Sequence, residues 1–138
     1  MALSEHVVAV LDTAPLVYYV GGRAECLGAA ARRLLRTAER RGRRVGAPTI
    51  SLFEIAQLEE RGRVQLGLPY DRWCQLLEDS PPLLLLPLER SHVSEARALP
   101  ALRDPFDRMI AGVAAALGVP LITSDTRIAE SRRVRVVW

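Results

Sequence analysis

Two carboxylates three residues apart, Asp104 and Asp107, stand at the mouth of Met109–Leu117, a run that carries no charge. A helix that is apolar all round expects burial, and its first turn is where an anion is best tolerated. Asp104 reads as the N-cap, Pro105 as the first helical residue, and Asp107 as the residue three past the cap. At 3.6 residues per turn Asp107 shares a stripe with Ile110, Ala111 and Ala114, so an acid sits at the lip of a face that packs inward. Three more acids stand at element boundaries. Asp12 closes the apolar run Val7–Leu11, Glu54 falls in the first turn of a helix opened by Pro48, and Asp125 follows the run Pro120–Thr123.

Each acid taken singly has a bland explanation. Asp104 and Asp107 form a cap, Asp12 turns with Thr13, and Asp125 starts the turn into Thr126-Arg127. Ser51-Leu52-Phe53-Glu54 fits a capping box. Taken together they point to chemistry. Four carboxylates brought to one edge repel one another unless a cation is bound, and hard oxygen donors without His or Cys suit Mg²⁺ or Mn²⁺ rather than Zn²⁺. Such a site can hold a phosphodiester oxygen and activate water.

The elements that must position these acids alternate between strand and helix. Val7–Leu11 reads as a strand buried on both faces, as in a parallel sheet. Helices are expected over Pro15–Val20, Glu25–Arg41, Pro48 to before Gly62, Pro69–Glu78, Glu89–Leu99 and Pro105 to before Gly118. Further strands are expected at Val45–Ala47, Leu83–Leu86, Pro120–Thr123 and Val134–Trp138, with a turn or short helix at Ile128–Ser131. The expectation is a doubly wound sheet with helices on both faces, and Asp12 and Asp125 at the C-terminal ends of its strands.

Four motifs in this order resemble the PIN-domain nucleases, and VapC-like toxins of bacterial type II toxin–antitoxin pairs in particular. They are Val-Leu-Asp12-Thr13, Ser51-x-x-Glu54-Ile-Ala, Asp104-Pro-Phe-Asp107-Arg-Met-Ile-Ala and Ile-Thr123-Ser124-Asp125. Glu59–Leu66 and the closing Val136-Val137-Trp138 look like the same subgroup. The resemblance implies a single domain over residues 1–138 with a three-layer α/β/α fold, and a Mg²⁺- or Mn²⁺-dependent ribonuclease. The family's acids carry over to Asp12, Glu54, Asp107 and Asp125, both as metal ligands and as catalytic residues. Asp104 becomes a cap or an outer ligand, and Thr13, Ser51, Thr123 and Ser124 become hydroxyls that orient the acids. A homodimer, an RNA substrate and a small antitoxin that occludes the acidic pocket are further implications.

Composition narrows the alternatives. The formal charge of +3 is mild, although all 19 basic residues are Arg. Arg32, Arg33, Arg36 and Arg40, continuing into Arg41, Arg43 and Arg44, read first as a solvated helix face and second as a phosphate-tracking patch. Cys26 and Cys74 form no CxxC, and His6 and His92 have no metal-ligand spacing. The N-terminus carries Glu5 and no basic segment, so a signal peptide is not expected; no run spans a membrane, and a cytoplasmic protein is. Two rival readings remain. One is a PIN-like module that grips RNA or protein without cutting. The other is a phosphoacceptor using Asp12, disfavoured because Ala14 stands where a second Asp is needed and the chain has no Lys.

Overall fold

A computed structural model describes residues 7–138; Glu5 and His6 lie outside the described residues. Five strands, β1 (Val7–Leu11), β2 (Arg44–Pro48), β3 (Leu83–Leu86), β4 (Leu121–Ile122) and β5 (Val136–Val137), form one parallel sheet in the order β3-β2-β1-β4-β5. Seven α-helices accompany them: α1 (Thr13–Val20), α2 (Ala29–Arg40), α3 (Thr49–Glu60), α4 (Tyr70–Asp79), α5 (Arg90–Arg97), α6 (Pro105–Leu117) and α7 (Thr126–Glu130). The result is the expected three-layer α/β/α arrangement.

Strand β1 is central because it can be buried on both sides. Ala9 and Leu11 enter one core with Leu16, Leu35, Ile55, Trp73 and Leu77 from α1 to α4. Val7 and Val10 enter a second core with Ile110, Val113 and Ala114 from α6 and Ile128 from α7. A register shift between Val7 and Ala9 accounts for the three-residue step between inward positions on that face. The chain winds outward from β1 through β2 to β3, then crosses back to place β4 on the other side of β1. The strand order therefore reverses between β1 and β4, and in open α/β sheets the crevice at such a reversal is where ligands bind. Asp12 and Thr123 leave the sheet side by side there, with Asp12 N–H donating to Ile122 O at 3.0 Å.

Several boundaries differ from expectation. Helix α1 starts at Thr13, two residues before Pro15, because Asp12 is itself the N-cap and accepts from Thr13 N–H. The expected helix Glu25–Arg41 is split into a 3₁₀ turn, Ala24–Cys26, and α2. The C-terminal Trp138 packs into the break: a Cβ on Gly28 would lie 2.3 Å from the Trp138 carbonyl carbon, and Ala30 N–H donates to Trp138 O. Helix α3 begins directly from Pro48 at the end of β2, so Ser51 is already inside the helix and the expected Ser51–Glu54 capping box does not form. Glu54 consequently sits in the second turn. The last strand is cut to two residues, bonded to β4 through Val137 O and Arg135 O.

Candidate active site

Helix α6 is held in place by its neighbour α5. A Cβ on Gly112 would sit 2.6 Å from His92 O, so only glycine admits this approach of the two helices. Arg108 donates to Ala96 O (2.7 Å) and Arg97 O (3.3 Å), bringing its positive charge to the carbonyls at the C-terminus of α5. The cap is as expected: Asp104 Oδ1 accepts from Asp107 N–H at 3.0 Å, and Pro105 follows it. Asp104 does more than cap. One carboxylate oxygen from each of Glu54, Asp104 and Asp107 lies within 4.8 Å of the others.

Asp12 stands behind this trio and is held by two donors. Thr13 N–H reaches Oδ1 at 2.8 Å and the Thr123 hydroxyl reaches Oδ2 at 2.7 Å. Thr123 in turn accepts from Asp125 N–H at 3.1 Å, and Thr13 Oγ1 donates to Glu54 Oε1 at 2.5 Å. Thr13 and Thr123 thus orient the acids. Ser51 Oγ is buried with no hydrogen-bond partner among the described residues, and Ser124 is exposed.

The charges respond as a crowded anionic site should. Burial pushes the Asp107 carboxyl up to about 7, assisted by repulsion from Asp12, Asp104, Asp125 and Glu54. Burial also raises Asp12 and Glu54, against the lowering effect of their hydroxyl donors. Asp125 moves the other way because of Arg127, a residue not singled out from sequence. The Arg127 guanidinium grips Asp125 with Nε at 3.1 Å and Nη2 at 2.9 Å, and Nη2 also lies 3.5 Å from Asp107. Asp125 caps α7 through Arg127 N–H, so the turn expected at Thr126-Arg127 is present as well. No signal in a single sequence ties Arg127 to Asp107, twenty residues away.

A cleft of about 440 Å³ is lined by Asp12, Glu54 and Asp107 together with Tyr18, Arg23, Leu58 and Arg63. The helix face with Arg32 and Arg36 borders a different cavity, lined by Tyr19, Leu27 and Leu35. The donor set of the acid site is entirely carboxylate and hydroxyl oxygen, and its mutual repulsion is what a hard divalent cation relieves. The residues present therefore fit Mg²⁺ or Mn²⁺.

The acids arrive from the ends of β1 and β4 and from α3 and α6, and residues 9–134 match the PIN domain. The chain belongs to the PIN-domain family. Within it the likeness is to the VapC-like group: over 93 residues the chain is 37% identical to Ribonuclease VapC22 of Mycobacterium tuberculosis, covering 64% of this chain and 70% of that protein. The same fold occurs in solved structures. VapBC2 from Rickettsia felis, bound to a promoter DNA fragment, superposes with a TM-score of 0.66 at 14% identity, covering 94% of this chain and 97% of the other. DNA-bound VapBC from Salmonella typhimurium gives 0.65 at 19% identity, over 94% and 96%. PAE2754 from Pyrobaculum aerophilum gives 0.58 at 15% identity, over 95% and 83%. Among the described residues of this PIN-domain chain, no helix is long and apolar enough to cross a membrane.

Proposed function

We propose that this PIN-domain protein is a divalent-metal-dependent endoribonuclease and the toxin of a toxin–antitoxin pair. One observation carries the reading: the fold brings Glu54, Asp104 and Asp107 within 4.8 Å of one another, beside a cleft lined by Asp12, Glu54 and Asp107 at the strand-order reversal, with Asp107 raised to about 7. That arrangement is costly without a cation, and its cost serves no purpose in packing. Bound there, Mg²⁺ or Mn²⁺ supplies Lewis acidity toward a phosphodiester oxygen and lowers the pKa of water.

Asp12 and Asp107 would hold the ion, with Glu54 and Asp104 adding negative charge beside it. Asp104 thereby gains a larger part than the sequence suggested. Thr13 and Thr123 keep Asp12 and Glu54 aimed. Asp125 organises the β4 end and carries Arg127, whose positive charge balances the outer side of Asp107. Ser51 and Ser124 remain candidate supports on position alone. The similarity to a ribonuclease and to VapBC structures supports RNA as substrate and a small antitoxin as partner; a cytoplasmic homodimer is part of the proposal on family resemblance alone.

The decisive experiment incubates purified protein with a mixed RNA substrate in Mn²⁺, in Mg²⁺ and in EDTA, alongside Asp12→Asn. Cleavage that needs the ion and disappears in the variant is expected. Binding of RNA without ion-dependent cleavage would instead favour a module that grips but does not cut.

A further inference from the structure

Three helices end in the same way. After α1, α2 and α3 the chain passes through a glycine with left-handed φ, Gly22 (+70°), Gly42 (+63°) and Gly62 (+69°). The next residue is an arginine whose backbone N–H bonds back five residues to close the turn. Arg23 N–H donates to Tyr18 O, Arg43 N–H to Ala38 O, and Arg63 N–H to Leu58 O, each at 2.8 Å. The glycine supplies a backbone conformation that L side chains rarely adopt, so the arginine that follows leaves the helix in a fixed direction. Two of the three, Arg23 and Arg63, line the acid cleft; Arg43 does not.

We propose that Arg23 and Arg63 form a backbone-phosphate subsite for single-stranded RNA, in the cleft they line together with Asp12, Glu54 and Asp107. The proposal rests on the ribonuclease reading for the identity of the polyanion. A cleft whose one wall is anionic repels a nucleic acid strand. A strand that places one phosphate near the acids needs its flanking phosphates held elsewhere, and guanidinium groups lining the same cleft supply the positive charge to do this. Arg23 is further steadied by lying over the Tyr18 ring, with the guanidinium carbon 5.8 Å from its centroid. Both arginines are exposed, and neither takes part in an ion pair among the described residues. Their charge is therefore available to a ligand. The subsite reads phosphate and not base, so it aligns the strand without choosing its sequence.

Arg43 is the built-in control, with the same turn and the same residue type away from the cleft. The experiment measures anisotropy of a short fluorescein-labelled oligouridylate in EDTA at several salt concentrations, together with Mn²⁺-dependent cleavage by the same preparations. Arg23→Ala and Arg63→Ala should each weaken binding about 5- to 10-fold and reduce the slope of log affinity against log salt by about 0.7. Each should raise KM far more than it lowers kcat. Arg43→Ala should match wild type, and Arg23→Lys and Arg63→Lys should recover most of the loss, since phosphate accepts an ammonium. Unchanged thermal midpoints exclude a folding defect, and the lysine variants decide the matter if an alanine variant unfolds. Cleavage by wild type, with Arg23→Ala and Arg63→Ala binding like wild type, overturns the subsite and leaves the ribonuclease reading standing. Equal losses at all three arginines overturn it too, since that is a net-charge effect. The expected binding pattern without any wild-type cleavage supports the subsite and overturns the nuclease.

Discussion

At the N-terminus of α5 an acid, Glu89, precedes the helix and the residue three positions on turns back to it. Glu89 N–H donates to His92 Nδ1 at 3.0 Å in a capping box, and His92 is buried. At the N-terminus of α6 an acid, Asp104, again caps, but Asp107 faces Glu54 and Arg127. The two termini belong to neighbouring packed helices and share one local pattern. In the first the polar groups are consumed locally, as structure requires. In the second the cap is only half used, and a carboxylate is left beside other carboxylates. Unspent anionic capacity inside a cleft is what separates a site from a cap.

The sharpest way to break this comparison is through activity. Asp107→Asn keeps the size and the cap but removes the charge, and RNA cleavage should fall at least about 100-fold in an Mn²⁺ assay. His92→Gln, which retains an acceptor for the Glu89 N–H, should cleave like wild type. Comparable losses in both would show that the two termini serve the same structural end.

A smaller loss is expected at Thr123. Thr123→Val deletes the hydroxyl that donates to Asp12 Oδ2 while preserving shape, and cleavage should drop about 10- to 100-fold with the circular dichroism spectrum unchanged.

The two termini should also respond to pH with opposite signs. Asp107 has a folded pKa raised to about 7 against 3.8 when unfolded. In EDTA the native state therefore keeps its full stability from this group below pH 4 and loses it as pH rises through about 7. Burial lowers the pKa of His92 below 6.5, so its contribution is present above that value and is lost on acidification. Denaturant titrations from pH 4 to 9 should find Asp107→Asn more stable than wild type by about 1–2 kcal/mol above pH 7, after allowance for solvent screening of a partly exposed group. The gain should vanish toward pH 4. His92→Gln should flatten the acid limb only. A wild-type profile unaffected by either substitution would erase the contrast.

The mildest probe is Arg127→Gln. With the internal cation removed from Asp125 and Asp107, Mn²⁺ binding followed by calorimetry should tighten a few-fold, because the ion no longer competes with a guanidinium for the same oxygens. Weaker binding would mean that Arg127 orients the acids instead of neutralising them.

Local pattern alone placed most of the framework. The unbroken apolar run of β1, the Asp104-Pro105 start of α6 and the Gly118 stop each follow from constraints acting within a few residues, and each is present. Asp12 at a strand end and Asp107 at a helix start were legible for the same reason. The split at Gly28 was not, because its cause is Trp138 at the other end of the chain. Nor was the placement of Ser51, since a capping box depends on where β2 stops and the sheet decides that.

The sequence by itself determined which residues carry charge, which runs are apolar enough to bury, and which positions must start or stop a helix. These are properties of side-chain chemistry and of nearest-neighbour backbone geometry. Only the tertiary structure decided that Asp104 joins Glu54 and Asp107, that Thr123 holds Asp12, that Arg127 reaches across to Asp107, and that two of three equivalent arginines line the cleft of the acids. Those facts depend on crossovers that bring distant segments within a few ångströms, and through-space distance is what sets Coulomb and hydrogen-bond energies. The Asp104–Asp107 pair is a cap by sequence; the fold makes it part of an acidic cluster with Glu54.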